Sequence, residues 1–293
     1  MGPVLALGTA QFGMAYGATN TVGQVDEGEV ARILELAAAS GVTMIDTATL
    51  YRSAEAVLGR ALPASHAFRI VTKSPAFGGG PIMPQHVAET RAALEQSLER
   101  LNIDSVYALL VHHAEDLLCP GGDLLMAGLD LWRAEGLTEK IGVSVYSGRE
   151  AIEIAGRYDI DVVQLPLNIL DQRSLMDGTM DHLSDAGIEL HVRSIFLQGV
   201  AVEPARRLPD YFSRFSGDLD RLATAAEGFG RVAFALGFIR QVRSADAAIV
   251  GVSSRRELQE VLDAWMFAAN ISADFSALRA EDEELISPMR WTL

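Results

Sequence analysis

The stretch FRIVTKSPAFGGGPIMPQHVAETRAALEQSLERLNIDSVYALLVHH, residues 68–113, contains the unit from which the whole chain is built. Its two ends, FRIVTKS and SVYALLVHH, are short apolar runs of the kind found in buried strands. The segment between them, MPQHVAETRAALEQSLERLN, has the apolar spacing of an amphipathic helix and carries Pro84 near its start. The stretch therefore predicts a strand, a crossover helix and a second, parallel strand.

The same alternation of strand and helix continues from one end of the chain to the other and yields eight strand–helix pairs. The strands are nearly continuous apolar runs, as expected for a parallel sheet that is covered on both faces. The segment LGTAQFGMAYG after the first strand lacks the G-x-G-x-x-G turn of a doubly wound dinucleotide-binding fold. We therefore predict an α/β protein with a single (β/α)8 TIM barrel, formed as one domain by residues 1–293.

Composition and charge exclude several classes of partner. A net charge of −15 argues against a surface for nucleic acid or for an anionic membrane, because either would need a basic face. The single cysteine, Cys119, excludes an internal disulfide and a multi-cysteine zinc site. The adjacent His112 and His113 point to opposite faces of a strand, so we expect no metal site there. With no targeting segment and no apolar run near the ~20 residues of a membrane span, we expect a cytoplasmic protein.

Polar residues stand at the predicted carboxyl ends of the strands, where the active site of such a barrel lies. They are Asp46, Lys73, His112, His113, Ser144, Gln164, Asn168 and Arg193, with Tyr51 five residues after Asp46.

The spacing of MIDTATLY and IVTKS has a chemical explanation. A tyrosine with its ordinary pKa near ~10 is a poor acid–base catalyst at neutral pH, and an adjacent ammonium group lowers that pKa. A lysine in a dry pocket in turn needs a carboxylate to remain charged. We therefore expect Asp46 to pair with Lys73, Lys73 to lower the pKa of Tyr51, and His112 to donate a hydrogen bond to a substrate oxygen.

MIDTATLY, IVTKS and LLVHH, in this order and each at a strand end, resemble the aldo-keto reductase family over essentially the whole chain. LGTAQFG, KIGVSVYS, VVQLPLNILDQR and IELHVRSIFLQG also resemble a bacterial branch of that family. The resemblance implies a catalytic tetrad of Asp46, Tyr51, Lys73 and His112, with Tyr51 as the general acid in carbonyl reduction and as the base in alcohol oxidation. It also implies a small carbonyl or alcohol substrate and a nicotinamide cofactor as the hydride carrier, since no side chain transfers hydride.

The resemblance places the cofactor along the strand ends and at the start of the last long helix. The implied residues are Gly8, Thr9, Gln11, Ser144, Gln164, Arg193, Ser194, Phe196, Leu197, Gln198, Gly199, Gly251, Val252, Ser253, Glu257, Gln259 and Glu260. Ser144 and Gln164 match positions that hold the nicotinamide amide, and the Ser253–Ser254 backbone would receive a phosphate at the helix start.

This sequence departs from the family at both ends of that cofactor site. Val145 stands where an asparagine is common, and Arg193 stands where an aromatic residue commonly stacks on the nicotinamide. Gly251 and Glu257 replace the lysine and arginine that grip the 2′-phosphate of NADPH in many members. Because a carboxylate repels a phosphate and accepts a hydrogen bond from a ribose hydroxyl, we expect NAD(H) to be preferred over NADP(H), unless Arg255 or Arg256 binds the phosphate.

A second function, from a different class, is open. KidO-like regulators of bacterial cell division share the fold and resemble this chain, and they couple NAD(H) binding to a protein partner. An extended segment, about residues 197–220, follows the seventh strand, and connections this long are usually functional. Its aromatic residues Tyr211, Phe212 and Phe215 would either form a partner surface or pack beneath a lid. Trp291 in the C-terminal tail would either reach the pocket rim or cap the flank of the barrel.

Overall fold

Eight parallel strands close on one another to form a barrel in the computed structural model, which describes residues 2–63 and 65–293. Each strand pairs with the next along the chain, and the last pairs with the first, so the predicted (β/α)8 barrel is confirmed. The strands are β1 Val4–Gly8, β2 Met44–Asp46, β3 Arg69–Lys73, β4 Val106–Val111, β5 Thr138–Ser144, β6 Val162–Pro166, β7 Glu189–Arg193 and β8 Ala247–Gly251.

Helices cover the outside of the barrel and connect its strands. They are α1 Ala10–Gly13, α2 Glu27–Ala39, α3 Ala54–Ala61, α4 Pro84–Leu101, α5 Glu115–Leu118, α6 Gly122–Ala134, α7 Gly148–Ala155, α8 Arg173–Met176, α9 Thr179–Asp185, α10 Ser216–Ala225, α11 Arg231–Gln241, α12 Arg255–Ala268 and α13 Glu283–Ile286. Short 3₁₀ helices are Leu197–Gly199, Ala205–Arg207, Asp210–Phe215, Ser276–Leu278 and Pro288–Arg290.

Two segments with continuous helical spacing are broken in the structure. The sequence predicts one helix over residues 173–187, but Gly178 has a φ of 76° and separates α8 from α9. It predicts one helix over residues 220–241, but Gly228 and Gly230 both have positive φ and separate α10 from α11. A glycine adopts positive φ without the steric cost that other residues incur, so it ends a helix that apolar spacing alone would continue.

Alternation along each strand separates the inside of the barrel from the helix layer. On β3, Val71 and Lys73 face inward, whereas Thr72 faces outward and donates a hydrogen bond of 2.6 Å to Glu55 on α3. The Glu55 carboxylate is buried and also accepts from Ser97 and Arg100 on α4. This outer network joins two helices to the strand that carries Lys73.

A second polar network closes the opposite end of the barrel, where the strands begin. Glu189 accepts a hydrogen bond from Tyr107 (2.7 Å), contacts Lys140 and lies 2.8 Å from the ring nitrogen of the buried His191. The Arg69 guanidinium lies over the Tyr107 ring, 4.7 Å from its centroid. Burial would raise the pKa of Glu189, but the hydrogen bonds from His191, Lys140 and Tyr107 outweigh it and hold that pKa at about 2.

The extended segment after β7 packs against the C-terminal tail. Phe212 and Phe215 are buried, and the Phe212 ring meets the Trp291 ring edge to face at 4.9 Å. The Tyr211 hydroxyl donates to the Glu284 carbonyl. Two of the three aromatic residues therefore do not form an exposed partner surface, and Trp291 covers this segment rather than the wall of the central cavity. The segment also ends earlier than predicted, because α10 begins at Ser216.

Within residues 2–63 and 65–293, no helix combines the length and the apolarity needed to cross a bilayer.

Candidate active site

A cavity of about 680 Å³ opens at the carboxyl ends of the strands. It brings together the four residues of the predicted tetrad: Asp46 and Lys73 end β2 and β3, His112 directly follows β4, and Tyr51 lies in the loop after β2. Most of these residues lie far apart in the sequence, and they meet because the barrel closes and brings the carboxyl ends of its strands together. The cavity is therefore the candidate active site.

Asp46 and Lys73 form a buried ion pair at its base. The ammonium group of Lys73 donates to both carboxylate oxygens of Asp46 at 2.7 and 2.8 Å, and to the carbonyl of Thr47 at 2.8 Å. Both side chains are almost inaccessible to solvent, with 1% of Lys73 and 5% of Asp46 exposed. Burial lowers the pKa of Lys73, whereas the Asp46 carboxylate raises it and so stabilises the ammonium form.

The pKa of Tyr51 is raised in this structure, whereas the sequence analysis predicts that Lys73 lowers it. Burial raises the pKa of Tyr51, the nearby Asp46 carboxylate raises it further, and Arg193 partly opposes both. All three protons of the Lys73 ammonium group are directed at Asp46 and Thr47, and its nitrogen lies 5.2 Å from the centroid of the Tyr51 ring. Lys73 therefore makes its hydrogen bonds to Asp46 and Thr47 rather than to Tyr51, which stays protonated at neutral pH.

His112 faces Tyr51 across the cavity. The two rings meet edge to face with centroids 6.1 Å apart. Burial lowers the pKa of His112 to about 3, with further contributions from Lys73, His113 and Arg193. A neutral imidazole donates from one nitrogen only, and the buried Nδ1 has no hydrogen-bond partner among the described residues. His112 is therefore suited to orient a substrate oxygen and is not charged at neutral pH.

Gln164 and Ser144 fit the amide of a nicotinamide cofactor. They are paired neighbours on β6 and β5. The Gln164 amide donates to Asp46 at 2.6 Å, whereas its Oε1 is buried without a partner in the described part of the chain. A buried acceptor left in this state costs ~1–3 kcal/mol. A carboxamide ligand would donate to Oε1 and accept from the Ser144 hydroxyl, so the residues present match the group that the resemblance implies.

Two tyrosines of the cavity wall, Tyr16 and Tyr146, were not among the predicted site residues. Burial raises the pKa of Tyr16, and the neighbouring Tyr51 raises it further. The Tyr146 ring lies under the Arg193 guanidinium, 4.5 Å from its carbon, and Arg193 also donates to the Val145 carbonyl at 3.0 Å. The position of Tyr146, two residues after Ser144 and just beyond the end of β5, could have indicated that it lines the site. Nothing in the sequence indicated that it would stack on Arg193.

The start of α12 differs from the predicted phosphate site. The backbone N–H of Ser253 donates to the Glu257 carboxylate at 2.7 Å, and that of Arg255 donates to Glu29 on α2 at 2.6 Å. The Ser254 hydroxyl accepts from the Glu257 N–H as an N-cap. Carboxylates of the protein therefore already occupy the N–H groups of Ser253 and Arg255 that would otherwise attract a phosphate.

Gly251 leaves room for Gln11 at the same end of the cavity. A Cβ atom on Gly251 would lie 2.6 Å from the side-chain oxygen of Gln11, so a lysine at this position would require Gln11 to move. Arg256 forms an exposed ion pair with Glu260 at 2.9 Å. Arg256, which the sequence analysis names as an alternative ligand for the 2′-phosphate, is thus paired with a carboxylate.

Most of the predicted cofactor residues line the cavity: Gly8, Thr9, Gln11, Ser144, Gln164, Arg193, Ser194, Phe196, Gln198, Gly199, Gly251, Val252, Ser253, Glu257 and Glu260. Two do not. Leu197 has a left-handed φ of 47° and its side chain is fully buried in the core. Gln259 lies two positions after Glu257, on another face of α12, where it donates to Asp263 at 2.9 Å.

The described residues contain no group of three or more histidine, cysteine, aspartate or glutamate side chains placed to hold a metal ion.

Comparisons with known proteins agree with this architecture. The sequence matches the family described as the aldo/keto reductase family over residues 4–281. A curated relative from Mycolicibacterium smegmatis, described as an aldo-keto reductase, is 33% identical over 141 residues, and the match spans 45% of each chain. A solved aldo-keto reductase from Bacillus halodurans in its holo form has a TM-score of 0.76 at 19% identity, covering 98% of this chain and 95% of its own. A solved glycerol dehydrogenase from Gluconobacter oxydans has a TM-score of 0.71 at 19% identity, covering 97% and 92%. These two structures share the fold.

Proposed function

The chain belongs to the aldo/keto reductase family of oxidoreductases, and from that premise we propose that it reduces a carbonyl compound to an alcohol with a nicotinamide cofactor. The observation that carries the proposal is the buried Asp46–Lys73 pair in one cavity with Tyr51 and His112. Two charges are costly to bury, and such clusters occur more often at functional sites than elsewhere.

In the proposed reaction the substrate oxygen lies between the Tyr51 hydroxyl and the His112 ring. His112 donates a hydrogen bond that orients and polarises the carbonyl, and Tyr51 transfers its proton to that oxygen as the carbon–oxygen π bond breaks. A bound nicotinamide supplies the hydride that the carbonyl carbon accepts. Solvent then returns a proton to Tyr51. Because burial raises the pKa of Tyr51, its hydroxyl is protonated at neutral pH, which is the state that carbonyl reduction requires.

We expect NAD(H) to be preferred over NADP(H). The Glu257 carboxylate and the Glu260 carboxylate both line the adenosine end of the cavity. A 2′-phosphate there would meet the unpaired negative charge of Glu257, since Glu260 is paired with Arg256, and the Ser253 N–H already donates to Glu257. Fluorescence titration of NADH and NADPH at equal ionic strength tests this. Glu257→Gln should narrow the gap between the two dissociation constants, whereas Glu153→Gln on α7 should not change it. Wild-type affinity for NADPH equal to or above that for NADH would refute the preference.

The test of the function itself is NADH oxidation across a panel of aldehydes, ketones and sugars. Tyr51→Phe should abolish turnover and keep NADH binding, since the variant loses the proton and little else. Tyr16→Phe is the matched control, because Tyr16 lines the same cavity and has no assigned proton to give. Tight NADH binding without any Tyr51-dependent turnover would instead favour the NAD(H)-sensing regulator, and the search would move to protein partners.

A further inference from the structure

Most of the charged side chains on the cavity wall form ion pairs. Asp46 pairs with Lys73, Arg256 pairs with Glu260, and Glu203 pairs with Arg207 at 3.3 Å. Glu257 accepts the Ser253 N–H. Within the described part of the chain, Arg193 is the cation of this wall that has no carboxylate partner.

The unpaired charge lies at the catalytic end of the cavity. Arg193 lines the same cavity as Tyr16, Tyr51, Lys73 and His112, and its charge contributes to lowering the pKa of each of them. The Asp46–Lys73 pair is neutral as a unit, and His112 and the tyrosines are uncharged at neutral pH. The catalytic end therefore has a net positive charge, and that charge is the guanidinium of Arg193.

The guanidinium is also held in a fixed orientation. One of its nitrogens donates to the Val145 carbonyl at 3.0 Å, another approaches the Ser194 hydroxyl at 3.4 Å, and the Tyr146 ring lies against it. A guanidinium carries five N–H donors, so these two contacts leave donors for a ligand. An arginine oriented by stacking is suited to bind a carboxylate through two parallel hydrogen bonds.

We propose that Arg193 makes this site selective for carbonyl substrates that carry a carboxylate near the reacting carbon, such as 2-oxo acids or short aldehydes with a terminal carboxylate. The inference rests on the proposed reductase function and adds its substrate class. A substrate carboxylate would give Arg193 the ionic partner that it lacks among the described residues, and hydrogen bonds to a charged group favour the charged substrate by roughly 10- to 100-fold.

Two matched pairs of substrates test the proposal, each replacing the carboxylate by an isopropyl group of similar shape. They are pyruvate with 3-methyl-2-butanone, and 4-oxobutanoate with 4-methylpentanal. In wild type, kcat/KM should be at least tenfold higher for the charged member of at least one pair. Arg193→Met should remove that preference, mainly through KM, by lowering kcat/KM for the charged substrate at least tenfold more than for the neutral one. Arg193→Lys should retain part of the preference for the charged substrate, because an ammonium group keeps the positive charge but lacks the planar pair of donors of a guanidinium.

Arg69→Met is the matched control. Arg69 also lies over a tyrosine ring, at 4.7 Å from its centroid, but at the other end of the barrel and outside the cavity. It should leave the preference unchanged. Thermal unfolding and NADH titration of each variant verify that the fold and the cofactor site are intact.

A second readout does not require turnover. Calorimetric titration of succinate and succinamide, with and without NADH, should show tighter binding of succinate that is lost in Arg193→Met. Succinate binding that depends on Arg193, without turnover of any substrate, would support the anion site and refute the reductase. Tyr51-dependent turnover with no preference for the charged substrates would support the reductase and refute the anion site. The proposal is also overturned if Arg193→Met weakens binding of NADH and ADP-ribose as much as that of succinate, because the cation would then serve the cofactor.

Discussion

Removal of Lys73 tests the central electrostatic feature of this protein. Lys73→Met keeps the length of the side chain and deletes its charge, which leaves the Asp46 carboxylate 5% exposed at the base of the cavity. The carboxylate loses hydrogen bonds of 2.7 and 2.8 Å and keeps the Gln164 amide, at 2.6 Å, as its hydrogen-bond donor within the described residues.

The expected cost follows from what remains after the substitution. Breaking a buried ion pair by removing one partner costs ~3–5 kcal/mol, because the other charge stays buried without compensation. An unfolding entropy of ~2.1 cal/mol/K per residue gives about 0.6 kcal/mol/K for this chain, so the melting temperature should fall by roughly 5–8 °C. Asp46→Asn combined with Lys73→Met should recover at least ~2 kcal/mol, since the double variant buries no charge.

Equilibrium denaturation in urea without cofactor measures these changes in the free energy of unfolding. Arg256→Met is the control, because its ion pair with Glu260 is exposed and should contribute less than ~1 kcal/mol. A Lys73→Met protein within ~1 kcal/mol of wild type, or a double variant less stable than the single one, would contradict the reasoning. The pair would then not be charged in the folded protein.

Three further predictions concern other parts of the fold. Gly13→Ala should destabilise the protein by ~1–3 kcal/mol and lower kcat, because a Cβ atom would lie 1.8 Å from the Tyr51 carbonyl oxygen. Gly217→Ala is the control: there is open space around this position, so denaturation should show equal or higher stability and activity assays should show an unchanged kcat. Glu189, whose pKa is held at about 2 against 4.5 for the free group, should contribute stability that is complete above pH 4.5 and lost as the pH falls through 2. In Glu189→Gln the free energy of unfolding should therefore depend less on pH over that interval than in wild type. An equal dependence on pH in the two proteins would contradict this. Phe212→Ala should cost ~3–5 kcal/mol and expose the 197–215 segment to limited proteolysis, whereas unchanged cleavage would show that the aromatic contact does not anchor it.

Local patterns in the sequence accounted for much of the fold and for the residues of the proposed tetrad that meet in the cavity. Apolar runs located every strand, and the rule that active sites lie at strand carboxyl ends selected Asp46, Lys73 and His112 before any contact was known. The same patterns failed where a helix was interrupted, as at Gly178 and Gly230, because apolar spacing continues across a glycine whose φ is positive. Leu197 was likewise expected at the cofactor, although its side chain turns into the core.

The sequence by itself determined the barrel and the identity of the groups at its mouth, because strand and helix periods are local properties and parallel strands share one carboxyl edge. Only the tertiary structure decided how those groups divide their hydrogen bonds and charges. It directs the Lys73 protons to Asp46 and Thr47, and it buries Tyr51 near the Asp46 carboxylate, which raises the pKa of that tyrosine. It brings Glu29 to the start of α12 across 226 residues of chain, and it leaves Arg193 without a carboxylate partner among the described residues. These outcomes depend on distances of a few ångströms between side chains far apart in sequence, and no local pattern encodes them.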